Sequence, residues 1–172
     1  TPLYRLTGCD LSQINGLGPH AILKIVSEIG PDVSAWPTEK HFTSWLRLAP
    51  GNNITGGKRR RSKKEPASNR VAQCLRVAAM SLGRSDTALG AFYRRLAARL
   101  GAVKATTATA RKLAVMVYLM LKRGAKYLDP GAMAYEQRYA KRVLHYLQRR
   151  AQALGHKLIP VDPTSQTIPA SC

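Results

Sequence analysis

The sequence predicts a mostly α-helical domain, and three observations carry that prediction. Apolar residues recur three and four positions apart through most of the chain. Serine, threonine or proline opens these stretches, and glycine closes several of them. The 172 residues suit one domain, long enough to bury roughly 70% of the surface of its unfolded chain. At 45% hydrophobic residues the composition is globular, which speaks against disorder in the body of the chain.

The first unit runs from Leu11 to Gly30. A short helix leads into Gly16-Leu17-Gly18, and a second helix starts with Pro19 at its first position, where no N–H is needed. Ile22, Ile25, Val26 and Ile29 form its apolar stripe, and Gly30 ends it. The pattern resembles a helix-hairpin-helix, in which a glycine turn offers backbone N–H groups to phosphate at a helix N-terminus. It reads equally as an ordinary αα-hairpin whose glycines only shape the turn.

A third helix is predicted from Glu39 to Leu48, capped by Thr38, with Phe42, Trp45, Leu46 and Leu48 inward and Trp36 also in the core. Ser68 caps a fourth, whose Val71, Cys74, Leu75, Ala78, Ala79 and Leu82 are buried and which Gly83 stops. Ser85-Asp86 opens a fifth, with Leu89, Phe92, Tyr93, Leu96 and Leu100 inward. A sixth follows Thr106 and Thr107, buries Leu113, Ala114, Val117 and Leu121, and stops at Gly124. The seventh, from about Gly131 to Leu154, is long, polar and basic, and suits partial packing with extension towards a partner. The domain thus covers residues 1–160. Residues 161–172, with Pro163 and Pro169, read as a disordered tail.

Between the third and fourth helices lies Thr55-Gly56-Gly57-Lys58-Arg59-Arg60-Arg61-Ser62-Lys63-Lys64, too polar and Gly-rich for a helix and read as a hairpin or an ordered active loop. Six of the seven residues from Lys58 to Lys64 are cationic. A hydroxyl beside two glycines and such a run is either a phosphate ligand or a nucleophile awaiting activation. A basic run can also be a solvated hairpin tip.

The net charge of +19, from 28 basic against 9 acidic residues, draws in polyanions and meets the first test for a nucleic-acid-binding protein. No stretch approaches eighteen uninterrupted apolar residues, so a membrane role is not expected. The opening Thr1-Pro2-Leu3-Tyr4-Arg5 lacks a signal peptide's features and an initiator Met, and reads as the start of a fragment. Cys9, Cys74 and Cys172 are odd in number and widely spaced, as suits reduced thiols in a cytosol, with Cys74 a small core residue. No zinc pattern is present.

Two-metal phosphoryl chemistry needs clustered carboxylates, and the nine here are scattered. A tyrosine recombinase would need an H-x-x-R motif, and none of the four histidines has Arg three residues on, so Tyr118 and Tyr127 read as core and helix-end residues. A hydroxyl nucleophile remains. Thr55 could attack a phosphodiester if Lys58 and one of Arg59, Arg60 or Arg61 neutralised the developing charge.

The motifs then fall in a familiar order. Ile14-Asn15-Gly16-Leu17-Gly18, Ser27-Glu28-Ile29-Gly30, His41-Phe42-Thr43-Ser44-Trp45-Leu46 and Leu48-Ala49-Pro50-Gly51-Asn52 come first. Thr55-Gly56-Gly57-Lys58, Ser68-Asn69-Arg70-Val71-Ala72, Ala88 to Arg95 and Ala110-Arg111-Lys112-Leu113-Ala114 follow. Together they resemble the C-terminal domain of the Piv/MooV-type DEDD transposases, the bridge-RNA-guided insertion-sequence recombinases. The resemblance covers roughly Leu6 to Pro160.

It implies a domain that works beside an N-terminal RuvC-like half, which carries the acidic tetrad and binds Mg²⁺ and is not among these residues. It further implies DNA and a structured bridge RNA as partners, a homo-oligomer, and a cytoplasmic, nucleoid-associated setting in a prokaryote. In such enzymes a serine before the loop glycine attacks DNA; here that position is Thr55, whose extra methyl stiffens χ1 and crowds the attack. Gly16, Gly18, Lys58, Arg59, Arg60, Arg61, Lys63, Lys64 and Arg70 are the expected nucleic-acid contacts, and no metal ligand or cofactor is expected within this chain. The resulting reading is a DNA-binding and strand-exchange domain of a transposase. The alternative is a non-catalytic basic helical module that binds RNA or DNA.

Overall fold

The computed structural model describes residues 2–49, 54–55, 58–59, 69–124 and 126–160. In chain order these form α1 (Pro2–Thr7), a 3-10 turn (Leu11–Gln13), α2 (Pro19–Ile29) and α3 (Glu39–Trp45). The strands β1 (Ile54–Thr55) and β2 (Lys58–Arg59), then α4 (Arg70–Ser81) and a second 3-10 turn (Leu82–Arg84), come next. α5 (Ala88–Leu100), α6 (Ala102–Arg123) and α7 (Gly131–Ala153) complete the order. The fold is mostly α, as its periodicity predicts. The chain divides into two compact units, Thr1–Tyr135 and Glu136–Cys172.

In the first unit, α6 packs against α3, α4 and α5, and α2 packs against α4. Ile14, Ile25, Phe42, Leu46, Leu75 and Leu113 are fully buried between them. Each such side chain contributes about 1.5–3 kcal/mol relative to leaving it in water. Tyr118 of α6 reaches back across the core. Its hydroxyl donates to the Trp36 carbonyl at 2.7 Å, and its ring lies 5.6 Å from that of Phe42. Lys122, one turn on, donates to the same hydroxyl at 2.7 Å and to the Pro37 carbonyl at 2.7 Å.

Helix ends follow local chemistry. Pro19 sits at the first position of α2 and Gly30 at its C-cap with φ +74°, both as predicted. The cap of α4 is Asn69, whose side chain accepts from the Ala72 N–H at 3.1 Å, and not Ser68, which lies outside the described residues. The cap of α5 is Thr87, accepting from Gly90 N–H at 3.0 Å, with Ser85 bonded to the Thr87 hydroxyl rather than opening the helix. Gly83 does not stop α4, which ends at Ser81 and tightens into the 3-10 turn containing that glycine.

The sixth helix starts earlier than predicted. Thr106 and Thr107 lie inside α6, their hydroxyls donating to the carbonyls of Ala102 and Val103 four residues back, so they need no capping role. Two inward assignments also fail. Trp45 is 43% exposed although its ring packs 4.9 Å from that of Trp36, and Leu100, at the last position of α5, is 43% exposed. α3 is shorter than predicted, ending at Trp45, with Arg47 at φ +54° turning the chain just beyond it.

The 3-10 turn at Leu11–Gln13 replaces the short first helix of the expected hairpin unit. The Gly-rich segment is a hairpin in its described part: β1 and β2 are antiparallel, with Ile54 opposite Arg59 and Thr55 opposite Lys58. α7 is a single helix of 23 residues with no buried side chain. The expected disordered tail, 161–172, lies outside the described residues. Among the described residues no helix is long and apolar enough to cross a membrane.

Candidate nucleic-acid interface

The turn before α2 sets the geometry of this surface. Gly16 has φ +89°, a conformation that L side chains rarely adopt, and a Cβ there would stand 2.9 Å from Leu82 Cγ. Gly18, the N-cap of α2, is different. Its φ is −75°, no side chain caps the helix there, and a Cβ would meet nothing within 4 Å. The turn therefore requires glycine at 16, while the space in front of Gly18 is open.

Between α2 and α4 runs a groove of ≈ 530 Å³. Gly16 stands at one end beside Leu82, and Arg70, in the first turn of α4, lies on the same wall system towards the other. His20 and Lys24 of α2 and Gln73 of α4 line it between them, over a floor that includes Ala21 and Cys74. Glu28 is the one acidic residue among its lining groups.

Cys74 is half-buried at this floor, not fully in the core. Its thiol donates to the Ala21 carbonyl at 3.8 Å, and burial pushes it above the ordinary thiol range against the pull of nearby Lys24.

Two predicted contacts, Gly16 and Arg70, thus share one groove, and Gly18 faces open space beside it. Of the loop residues, Thr55, Lys58 and Arg59 are described in their backbone only, with Thr55 paired to Lys58. Arg60, Arg61, Lys63 and Lys64 lie outside the described residues.

Sequence reasoning passed over His20, Lys24 and Gln73. A signal was present: His20 and Lys24 are spaced i, i+4, and Arg70, Gln73 and Val77 are spaced i, i+3, i+7, which puts each set on one helix face. That the two faces oppose one another comes only from tertiary packing.

Three of the described carboxylates, Asp10, Asp32 and Asp129, hold local structure. Asp10 accepts from the N–H and hydroxyl of Ser12, Asp32 does the same with Ser34, and these bonds hold both carboxyls below the usual range. Asp129 accepts from the Ala88 N–H at 3.1 Å and the Tyr127 hydroxyl at 3.3 Å. Among the described residues no group of three or more His, Cys, Asp or Glu comes together that could hold a metal ion.

The net charge of +19 on the chain is the electrostatic footprint expected of a nucleic-acid-binding protein. Residues 10–94 match the family described as Transposase IS116/IS110/IS902 family, which supports an IS110-type transposase domain over that segment. The match spans the glycine turn, the groove, the hairpin and the first half of α5. No curated protein and no solved structure matches the chain.

Proposed function

We propose that this chain is the DNA-binding and strand-exchange domain of an insertion-sequence transposase of the Piv/MooV type. The observation that carries the reading is the groove between α2 and α4, inside the family-matched segment, which gathers Gly16, Lys24 and Arg70 on one surface. DNA phosphates would meet Lys24, Arg70, the open N-terminus of α2 at Gly18, and the cationic run from Lys58 to Lys64. A structured bridge RNA and further copies of the protein complete the assembly in this reading. The setting is a prokaryotic cytoplasm, at the nucleoid.

Thr55 holds the position of the family's nucleophilic serine. In the step proposed, its hydroxyl oxygen forms a bond to the scissile phosphorus, the bond to the departing strand breaks, and the hydroxyl proton leaves to a base outside this chain. Backbone pairing of Thr55 with Lys58 supports a cation close to that phosphate. The described residues bring together no group of three or more ligands that would fit Mg²⁺, and in this reading the metal belongs to the RuvC-like half.

The test uses the parent protein with that half in place. It should give a DNA adduct that survives denaturation, lost in Thr55→Ala and matched or exceeded in rate by Thr55→Ser. An adduct undiminished in Thr55→Ala excludes Thr55. If neither the native protein nor Thr55→Ser forms one, the chain is a non-catalytic basic module that binds DNA or RNA, a reading that the threonine in place of serine favours.

A further inference from the structure

α7 carries its charges in a pattern that the interface described above does not use. Between Gly131 and Ala153 there are five arginines and lysines against one acid, Glu136. Arg138, Arg142, His145 and Arg149 follow one another at i, i+4, i+7 and i+11, and all four are exposed. At about 100° per residue they fall within a sector of roughly 60°. At 1.5 Å per residue their Cα atoms are spaced about 6, 4.5 and 6 Å along the axis.

Ala140, Leu144, Leu147, Ala151 and Leu154 occupy the opposite side, centred roughly 180° away. Glu136 falls on that apolar side, so the cationic stripe contains no carboxylate. The Arg142 guanidinium lies 5.8 Å from the Tyr139 ring centre, which limits its freedom before any ligand arrives.

We propose that Arg138, Arg142, His145 and Arg149 form a track for the phosphate backbone of duplex DNA, read without regard to sequence. The proposal rests on the reading of DNA as this chain's partner but names a surface outside residues 10–94. Charge decides the occupant: a straight row of three exposed arginines and an imidazole, with no acid among them, complements a polyanion that carries one negative charge per about 1.7 Å of its axis. Three arginines and a histidine on one turn-to-turn line offer donors to phosphate oxygens, and contacts of that kind fix position without carrying sequence information.

The test measures the dissociation constant of the 172-residue chain for a duplex DNA of random sequence at several salt concentrations. The triple variant Arg138→Gln/Arg142→Gln/Arg149→Gln should lower the slope of log K against log salt by about 2.7, at roughly 0.9 per phosphate contact. Gln is close to Arg in helix propensity, so helicity by circular dichroism should hold. Arg138→Lys/Arg142→Lys/Arg149→Lys should restore most of the slope.

A control, Arg99→Gln/Lys104→Gln/Lys126→Gln, removes equal charge elsewhere and should change the slope far less. An equal loss in the control shows that only net charge matters and overturns the proposal. So does an unchanged slope in the glutamine variant while the native chain binds, or a change confined to a duplex RNA of the same length. A native chain that fails to bind DNA at all overturns the parent reading as well.

Discussion

Gly16 is pressed against Leu82, the residue that begins the 3-10 turn after α4: a Cβ on Gly16 would come within 2.9 Å of the leucine Cγ. This contact ties the turn before α2 to the far end of α4 and fixes one end of the groove between them. Two positions on, Gly18 makes no such contact and has an ordinary backbone conformation.

The two glycines should therefore separate folding from binding. Gly16→Ala should lower stability by about 1–3 kcal/mol through backbone strain and overpacking. Gly18→Ser should leave the melting temperature unchanged or raise it, since serine is a good N-cap. The same substitution fills the open space and should weaken DNA binding. Thermal denaturation and fluorescence anisotropy on both variants check this; full DNA affinity in Gly18→Ser assigns the turn a structural role alone.

The groove cations should act through phosphate. Lys24→Gln and Arg70→Gln should each reduce the salt slope of duplex binding by about 0.9, and the double variant by roughly twice that. Titrations at a series of salt concentrations measure it, and sequence preference should not change.

Tyr118→Phe removes the buried hydroxyl that bonds Trp36 and receives Lys122. The loss should be about 0.5–1.5 kcal/mol, because Lys122 still donates to the Trp36 carbonyl at 3.2 Å. Urea denaturation reads the stability, and the emission of Trp36 should shift with the altered bonding.

Tyr127 supplies a prediction in alkali. Burial first, then the charge and hydrogen bond of Asp129, push its phenol up to about 12 from an ordinary value of 10.0. A raised value means that the folded chain holds a proton the unfolded chain has lost. Its contribution to stability is therefore complete below about pH 10 and is lost as the pH rises from about 10 to about 12. Phenolate absorbance should show one tyrosine titrating late, and Tyr127→Phe should remove that component and flatten the alkaline loss of stability.

Much of this architecture was legible because local chemistry decided it. Proline at 19 and glycines at 30 and 124 bound their helices, and the periodic apolar residues of α2, α4 and α6 are the ones buried. The errors arose where one residue type serves two local purposes. Threonines 106 and 107 look like caps but bond backwards within α6, and Trp45 has the spacing of a core residue while its helix ends beneath it. At the candidate site, Gly16 and Arg70 were readable singly. Lys24 and Gln73 were not, because their common groove exists only once α2 lies on α4, a pairing that no local pattern encodes.

The long reach of α6 also bears on how this family's segment can be handled as a piece of protein. Residue 94 lies midway along α5, and Leu113, Val117 and Tyr118, all beyond it, fill the space behind α3 and α4. A polypeptide ended at Arg94 would present those helices' apolar faces to water and leave the Trp36 and Pro37 carbonyls without their donors. The unit that inheritance recognises and the unit that can stand alone in solution are, in this molecule, of different lengths.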